Sequence, residues 1–131
     1  MMTIPVLTVL FAILSIIITK MPVAYAMNQQ KGGYNNRYPR DQQAQLAGFG
    51  KRALSAHMNS LEALPVFIAG LFCALFFQAD ETLINVCCLL FVLSRVLYTV
   101  FYWVDIHAMR SLSWSVAFIS SCVLVLAPLL K

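Results

Sequence analysis

The 131 residues are 61% hydrophobic and only 11% charged, with nine Lys and Arg against five Asp and Glu. Soluble domains carry roughly 25% charged residues, so the composition excludes an ordinary soluble globule and points to an integral membrane protein in a lipid bilayer. The net charge of +4 does not call for a nucleic-acid partner, because the basic residues gather in particular loops, as the positive-inside rule requires.

Span one is expected at about residues 4–27, apolar except for Lys20, whose stem lets its charge snorkel towards a headgroup. Ala24-Tyr25-Ala26 resembles a small-x-small cleavage site. The positive leading region of a signal peptide is missing, however, and the apolar stretch is longer than a signal peptide needs. Residues 28–45, NQQKGGYNNRYPRDQQAQ, are polar and broken by Gly32-Gly33 and Pro39, which predicts a loop. From about Ala44 a helix is predicted to run past Glu62 into the apolar stretch that ends at Phe77, bent near Pro65. Span two is therefore 44–77. The acidic turn QADE follows, then span three at 82–103, the short loop VDIHAMR, and span four at 111–130. The expected architecture is one membrane domain over 1–131, all-α, with four transmembrane helices.

Lys31, Arg37, Arg40, Lys51 and Arg52 surround the first loop, Arg110 lies in the third, and the 78–81 turn has no basic residue. This asymmetry predicts cytoplasmic basic loops and both termini outside. Cys73, Cys87, Cys88 and Cys122 all sit in apolar stretches without metal-site spacing and read as small buried residues, so no metal is expected. Gly32-Gly33 lacks the strand and helix of a phosphate loop. Trp103 and Trp114 fit an interfacial belt.

Arg52, Ser55, Asn59 and Glu62 fall within an arc of about 80° at roughly 100° per residue, so they form one polar stripe on span two. Arg95, Tyr98 and Tyr102, spaced three and four apart, share a face of span three. Both stripes lie near the same end of their helices. They could satisfy each other, with Glu62 ion-paired to Arg95 or Arg52 and Asn59 as an interhelical hydrogen-bond anchor. Alternatively they could form a pocket for a small zwitterionic or anionic ligand, because intramembrane ionisable groups are costly enough to mark a site. His57, on the opposite side of its helix, reads as a structural hydrogen-bonding residue, and His107 as a solvated one.

The pattern RxxxxxxNxxExxP at 52–65, RxxYxxxY at 95–102 and Arg110-Ser111 before the last span together resemble the MAPEG family, membrane-associated proteins in eicosanoid and glutathione metabolism. GGYNNRYPR at 32–40 is similar to the first cytoplasmic loop of bacterial members. The resemblance implies a left-handed bundle of four helices per subunit and a homotrimer in a bacterial inner membrane. Glutathione, as co-substrate, would bind between subunits on Arg52, Asn59, Glu62, Arg95, Tyr98 and Tyr102, and Arg110 would face the sulfur as the catalytic residue. The implied activity is a glutathione-dependent transferase or peroxidase acting on lipophilic small molecules. Ser55 stands where such enzymes usually carry Arg, and Ala63 where the residue is often polar. These two positions keep open the alternative of a non-catalytic accessory membrane subunit. A trimer is also expected because the Arg95, Tyr98, Tyr102 face needs a large polar partner, which a neighbour's Arg52 stripe would supply.

Overall fold

The computed structural model describes residues 3–130. In chain order they form α1 (Thr3–Asn28), α2 (Pro39–Ala44), α3 (Gly48–Phe76), α4 (Glu81–Trp103) and α5 (His107–Leu126), closed by a 3₁₀ turn over Ala127–Leu130. Four of these elements are long and apolar enough to cross a membrane: α1, α3, α4, and α5 with its 3₁₀ extension. Together with the outward-facing Leu7, Ile17, Phe72, Leu93 and Ile119, this makes the chain an integral membrane protein. Helices are the open-chain solution there, because each satisfies its backbone groups internally.

The chain departs from the predicted boundaries in three places. Pro39 starts a short helix inside the expected loop, using its fixed φ at the first helical position. The second span begins at Gly48 rather than near Ala44, because Ala47 is extended and Leu46 turns inward to pack with Val23, Met27 and Ala53. The last span begins at His107, so Arg110 lies inside its first turn instead of ahead of it. α3 runs unbroken through Pro65; at 29 residues it is about 43 Å long, more than the roughly 30 Å hydrocarbon core.

Two helix ends close in the same way. Gln78 and Asp105 take left-handed φ values of 56° and 64°. Ala79 then donates its N–H to Ala74 O at 2.8 Å, and Ile106 donates to Phe101 O at 2.9 Å. This is the Schellman arrangement, built here without glycine. At the start of α4 the Asp80 carboxylate accepts from Leu83 N at 2.8 Å, satisfying one of the orphan donors of that terminus.

The main core lies between α3, α4 and α5, where Phe67 and Phe91 stack at 4.0 Å between ring centroids. Gly70 lets α3 approach α5: a Cβ there would stand 2.5 Å from Ser121 O. Gly70→Ala should therefore force the pair apart and cost about 1–3 kcal/mol by overpacking. Thermal unfolding in mild detergent checks this, and an unchanged midpoint would contradict the close approach.

The α1–α3 connection is held by one buried side chain. Gln42 donates from Nε2 to Met27 O at 3.0 Å and Gly33 O at 2.8 Å, and its Oε1 accepts from Asn35 N at 2.8 Å. Gln42→Ala should release these groups, at a cost of about 1–3 kcal/mol confined to the loop. Trypsin should then cut after Lys31 and Arg37 several-fold faster, with the span fragments otherwise intact.

Candidate functional site

The antiparallel arrangement of α3 and α4 brings the two predicted stripes together within one chain. Arg95 Nη1 donates to Asn59 Oδ1 at 2.8 Å, and Nη2 to Ser60 Oγ at 3.4 Å. Asn59 Nδ2 in turn donates to Glu62 Oε2 at 3.1 Å. The amide thus links a guanidinium to a carboxylate, with its oxygen towards the positive group and its nitrogen towards the negative one. Arg95 is only 5% exposed, whereas Glu62 is exposed at the surface of this chain. Among the described residues Glu62 makes no ion pair with Arg95 or Arg52. In place of the direct ion pair that was one of the two alternatives for Glu62, Asn59 links it to Arg95.

From Arg95 the arrangement continues along α4 as alternating charge and ring. The Arg95 guanidinium carbon lies 4.4 Å from the Tyr98 ring centroid, Tyr98 meets Tyr102 edge-on at 5.4 Å, and the Arg110 guanidinium carbon lies 4.2 Å from the Tyr102 centroid. Each cation–π contact is worth about 0.5–2 kcal/mol depending on desolvation. Six predicted residues, Asn59, Glu62, Arg95, Tyr98, Tyr102 and Arg110, therefore form one contiguous chain across α3, α4 and α5. Arg95 meets partners of its own subunit, so the expectation that this face needs a neighbour's stripe is corrected.

Arg52 stands apart. Its Nη2 donates to Trp103 O at 3.4 Å and its Nη1 lies 3.8 Å from Asp105 Oδ2. It sits against the C-terminus of α4, where a cation complements the helix dipole and the orphan carbonyls. With side chains 31% and 64% exposed, the ion pair itself is worth about 0–1 kcal/mol. Ser55 spends its hydroxyl on Lys51 O at 3.1 Å.

Beside the cluster lies a cleft of about 150 Å³ between α3, α4 and α5, bordered by Asn59, Glu62, Ala63 and Arg95 on one side and by Trp114, Phe118 and Ser121 on the other. The small Ala63 keeps it open. Phe118 and Ser121 carry no signal of their own in the sequence, although with Trp114 their spacing of four and three marks one helix face. Trp114 stacks on Phe118 at 5.2 Å and so forms a wall of the cleft, beyond the belt role expected of it. Ser60, also missed, lies off the α3 arc but buried against Arg95.

The two histidines follow their structural readings. His57 Nδ1 lies 3.1 Å from Thr19 Oγ1 and ties α3 to α1, and His107 is exposed at the start of α5. All four cysteines are free, Cys87 and Cys88 buried and the other two partly so.

The fold and site define an integral membrane protein of four spanning helices, with an ionised, aromatic-lined cleft between three of them. Residues 4–130 match the profile of the MAPEG family, and the chain belongs to that family. The match is to the family as a whole and does not separate its bacterial members from others. No curated protein and no solved structure matches the chain.

Proposed function

We propose that the protein is a membrane-bound, glutathione-dependent transferase or peroxidase that acts on lipophilic electrophiles arriving from the bilayer. Family membership supports the class. The observation that carries the reading further is the contiguous run from Glu62 through Asn59 and Arg95 to Arg110, of which Glu62, Asn59 and Arg95 border the cleft. Glutathione has two carboxylates, one ammonium and a thiol. Guanidinium groups suit carboxylates through forked hydrogen bonds, and an exposed carboxylate such as Glu62 suits the ammonium.

In this reading Asn59 holds Glu62 and Arg95 at fixed separation, Tyr98 and Tyr102 extend the binding surface beyond the cleft, and Arg110 faces the sulfur. A cation there favours the thiolate, the reactive form, which is a minor fraction for an ordinary thiol of pKa about 8.5. The thiolate sulfur then bonds to an electrophilic carbon as its leaving group departs, or to a hydroperoxide oxygen as the O–O bond breaks.

Ligand pockets usually measure about 300–1,000 Å³, so the 150 Å³ cleft of one subunit would hold only part of a tripeptide. A neighbouring copy would cover the rest, which supports a homotrimer with the site at its interface. The orientation that fits places the α1–α3 connection and the α4–α5 turn, with their basic residues, on the cytoplasmic side of an inner membrane.

A second reading, a non-catalytic accessory subunit, is favoured by Ser55, whose hydroxyl is turned onto its own helix. Glutathione-dependent turnover with an aryl halide and with a lipid hydroperoxide separates the two. Activity with either supports the enzyme; silence with both, together with no glutathione binding, supports the accessory role.

A further inference from the structure

The contact between Arg110 and Tyr102 spans a corner, because Tyr102 lies in the last turn of α4 and Arg110 in the first turn of α5. Little within the corner fixes its shape. Val104, Asp105 and Ile106 are all exposed, and Ile106 gives α5 no side-chain cap. Asp105 holds a left-handed φ of 64°, a region that costs free energy for any residue with a Cβ. The turn is closed by Asp105 N donating to Tyr102 O at 3.4 Å and Ile106 N to Phe101 O at 2.9 Å.

The brace comes from α3. Among the described residues, Arg52 is the only side chain from another element that makes a hydrogen bond or ion pair to residues 103–106: Nη2 donates to Trp103 O at 3.4 Å, and Nη1 lies 3.8 Å from Asp105 Oδ2. One guanidinium thus holds both the end of α4 and the residue with the left-handed backbone. Its Nε–H is buried without an acceptor among the described residues, so the side chain keeps this pose against an opposing cost. Arg52 does not border the cleft of Asn59, Glu62 and Arg95; its polar contacts are all at the corner.

We infer that Arg52 is a positioning residue for Arg110: it braces the end of α4 and the turn beyond, and so fixes the first turn of α5 where the Arg110 guanidinium lies over Tyr102. The leverage comes from connectivity. Arg110 N donates to Ile106 O at 3.1 Å, so the helical turn that carries Arg110 is bonded to the residue beside Asp105. Without Arg52 the exposed corner is free to leave its left-handed conformation, and the Arg110 guanidinium carbon loses its place 4.2 Å from the Tyr102 centroid. An exposed ion pair adds little to global stability, so the effect is local. The consequence for catalysis rests on the enzyme reading above; the placement of Arg110 does not.

Placement is read first, without glutathione, by nuclear magnetic resonance on the full chain carrying isotope-labelled arginine in phosphatidylcholine nanodiscs. Protons above an aromatic ring are shielded, so the Arg110 side chain should resonate upfield of an unstacked arginine, and Arg110→Lys identifies the signal by its loss. In Arg52→Gln that signal should move most of the way to the unstacked position while the unfolding midpoint changes little. With glutathione, turnover at neutral pH should fall about threefold and the pH at which the bound thiol ionises should rise by about half a unit, with affinity nearly unchanged. Arg52→Gln combined with Arg110→Ala should match Arg110→Ala alone, because Arg52 acts through that guanidinium. If Arg110 keeps its shielded signal in folded Arg52→Gln protein, the inference is wrong. It is equally wrong if Arg52→Gln weakens glutathione binding by the same factor with and without Arg110, which would make Arg52 a ligand contact. A shielded Arg110 that moves in Arg52→Gln, in a protein that binds no glutathione, would sink the enzyme reading and leave the positioning intact. Should Arg52→Gln fail to fold, Asp105→Asn decides: it tolerates the left-handed corner but loses the carboxylate beside Arg52, so the Arg110 signal must move, and an unchanged signal overturns the inference.

Discussion

Asn59→Ala is expected to lower the stability of the protein by about 2–4 kcal/mol, because it removes the shortest hydrogen bond of a guanidinium that is 95% buried and leaves that charge under-satisfied. It should also weaken glutathione binding, since Glu62 loses the amide that holds it. Glu62→Gln separates these effects. The new amide can still accept from Asn59 and the residue is exposed, so stability should change by well under 1 kcal/mol while affinity for glutathione falls about tenfold or more. Unfolding in mixed micelles and glutathione titration on both variants provide the comparison. If Glu62→Gln destabilises as much as Asn59→Ala with no ligand present, Glu62 is a structural partner and the ligand role assigned to it fails.

Arg110→Ala should produce the largest change in activity. Arg110 raises the fraction of bound glutathione present as the reactive thiolate, so its loss should cut turnover at neutral pH by about tenfold for each unit that the thiol's pKa rises, while affinity, which the other contacts share, should fall by less. The sign for pH follows from charge. A nearby cation favours the thiolate and lowers the pH at which the bound thiol ionises, so its loss must raise that pH. Arg110→Lys keeps the positive charge near the headgroups and should preserve expression and orientation, but an ammonium does not reproduce the planar donors stacked on Tyr102. Turnover against pH, with bound-thiolate absorbance measured on the same samples, gives the answer. Coincident curves for wild type and Arg110→Ala would make Arg110 a topology residue.

The four spans and the residues that meet inside them are legible in the sequence for simple reasons. Long uncharged runs have few alternatives to spanning a bilayer, and polar side chains repeated at helical spacing within such runs must face one another or a cavity. Asn59, Glu62, Arg95, Tyr98 and Tyr102 were found by that logic, and Arg110 by family pattern.

What escaped notice depends on height and tertiary contact. Arg52 shares the α3 arc with Asn59, but seven residues separate them by about 10 Å along the axis, and the wheel projection hides that distance. Arg52 meets the end of α4 instead. α2 is a six-residue polar helix, too short to hold itself. It exists because Gln42 reaches back to Met27 and Gly33, a contact that no local pattern announces. Trp114, Phe118 and Ser121 carry a readable spacing, but Trp near a span end suggests a membrane belt first. Only the packing of α5 against α3 shows that these side chains border the cleft.

Glutathione binding is the claim on which the enzyme reading rests most directly. The measurement is the ultraviolet thiolate difference absorbance of glutathione added to the purified protein in lipid nanodiscs, with Glu62→Gln and Arg110→Ala alongside. The expected result is a saturable thiolate band at neutral pH, weakened in affinity by Glu62→Gln and shifted to higher pH by Arg110→Ala. No band and no saturable binding at millimolar glutathione would contradict it and leave the accessory-subunit reading in its place.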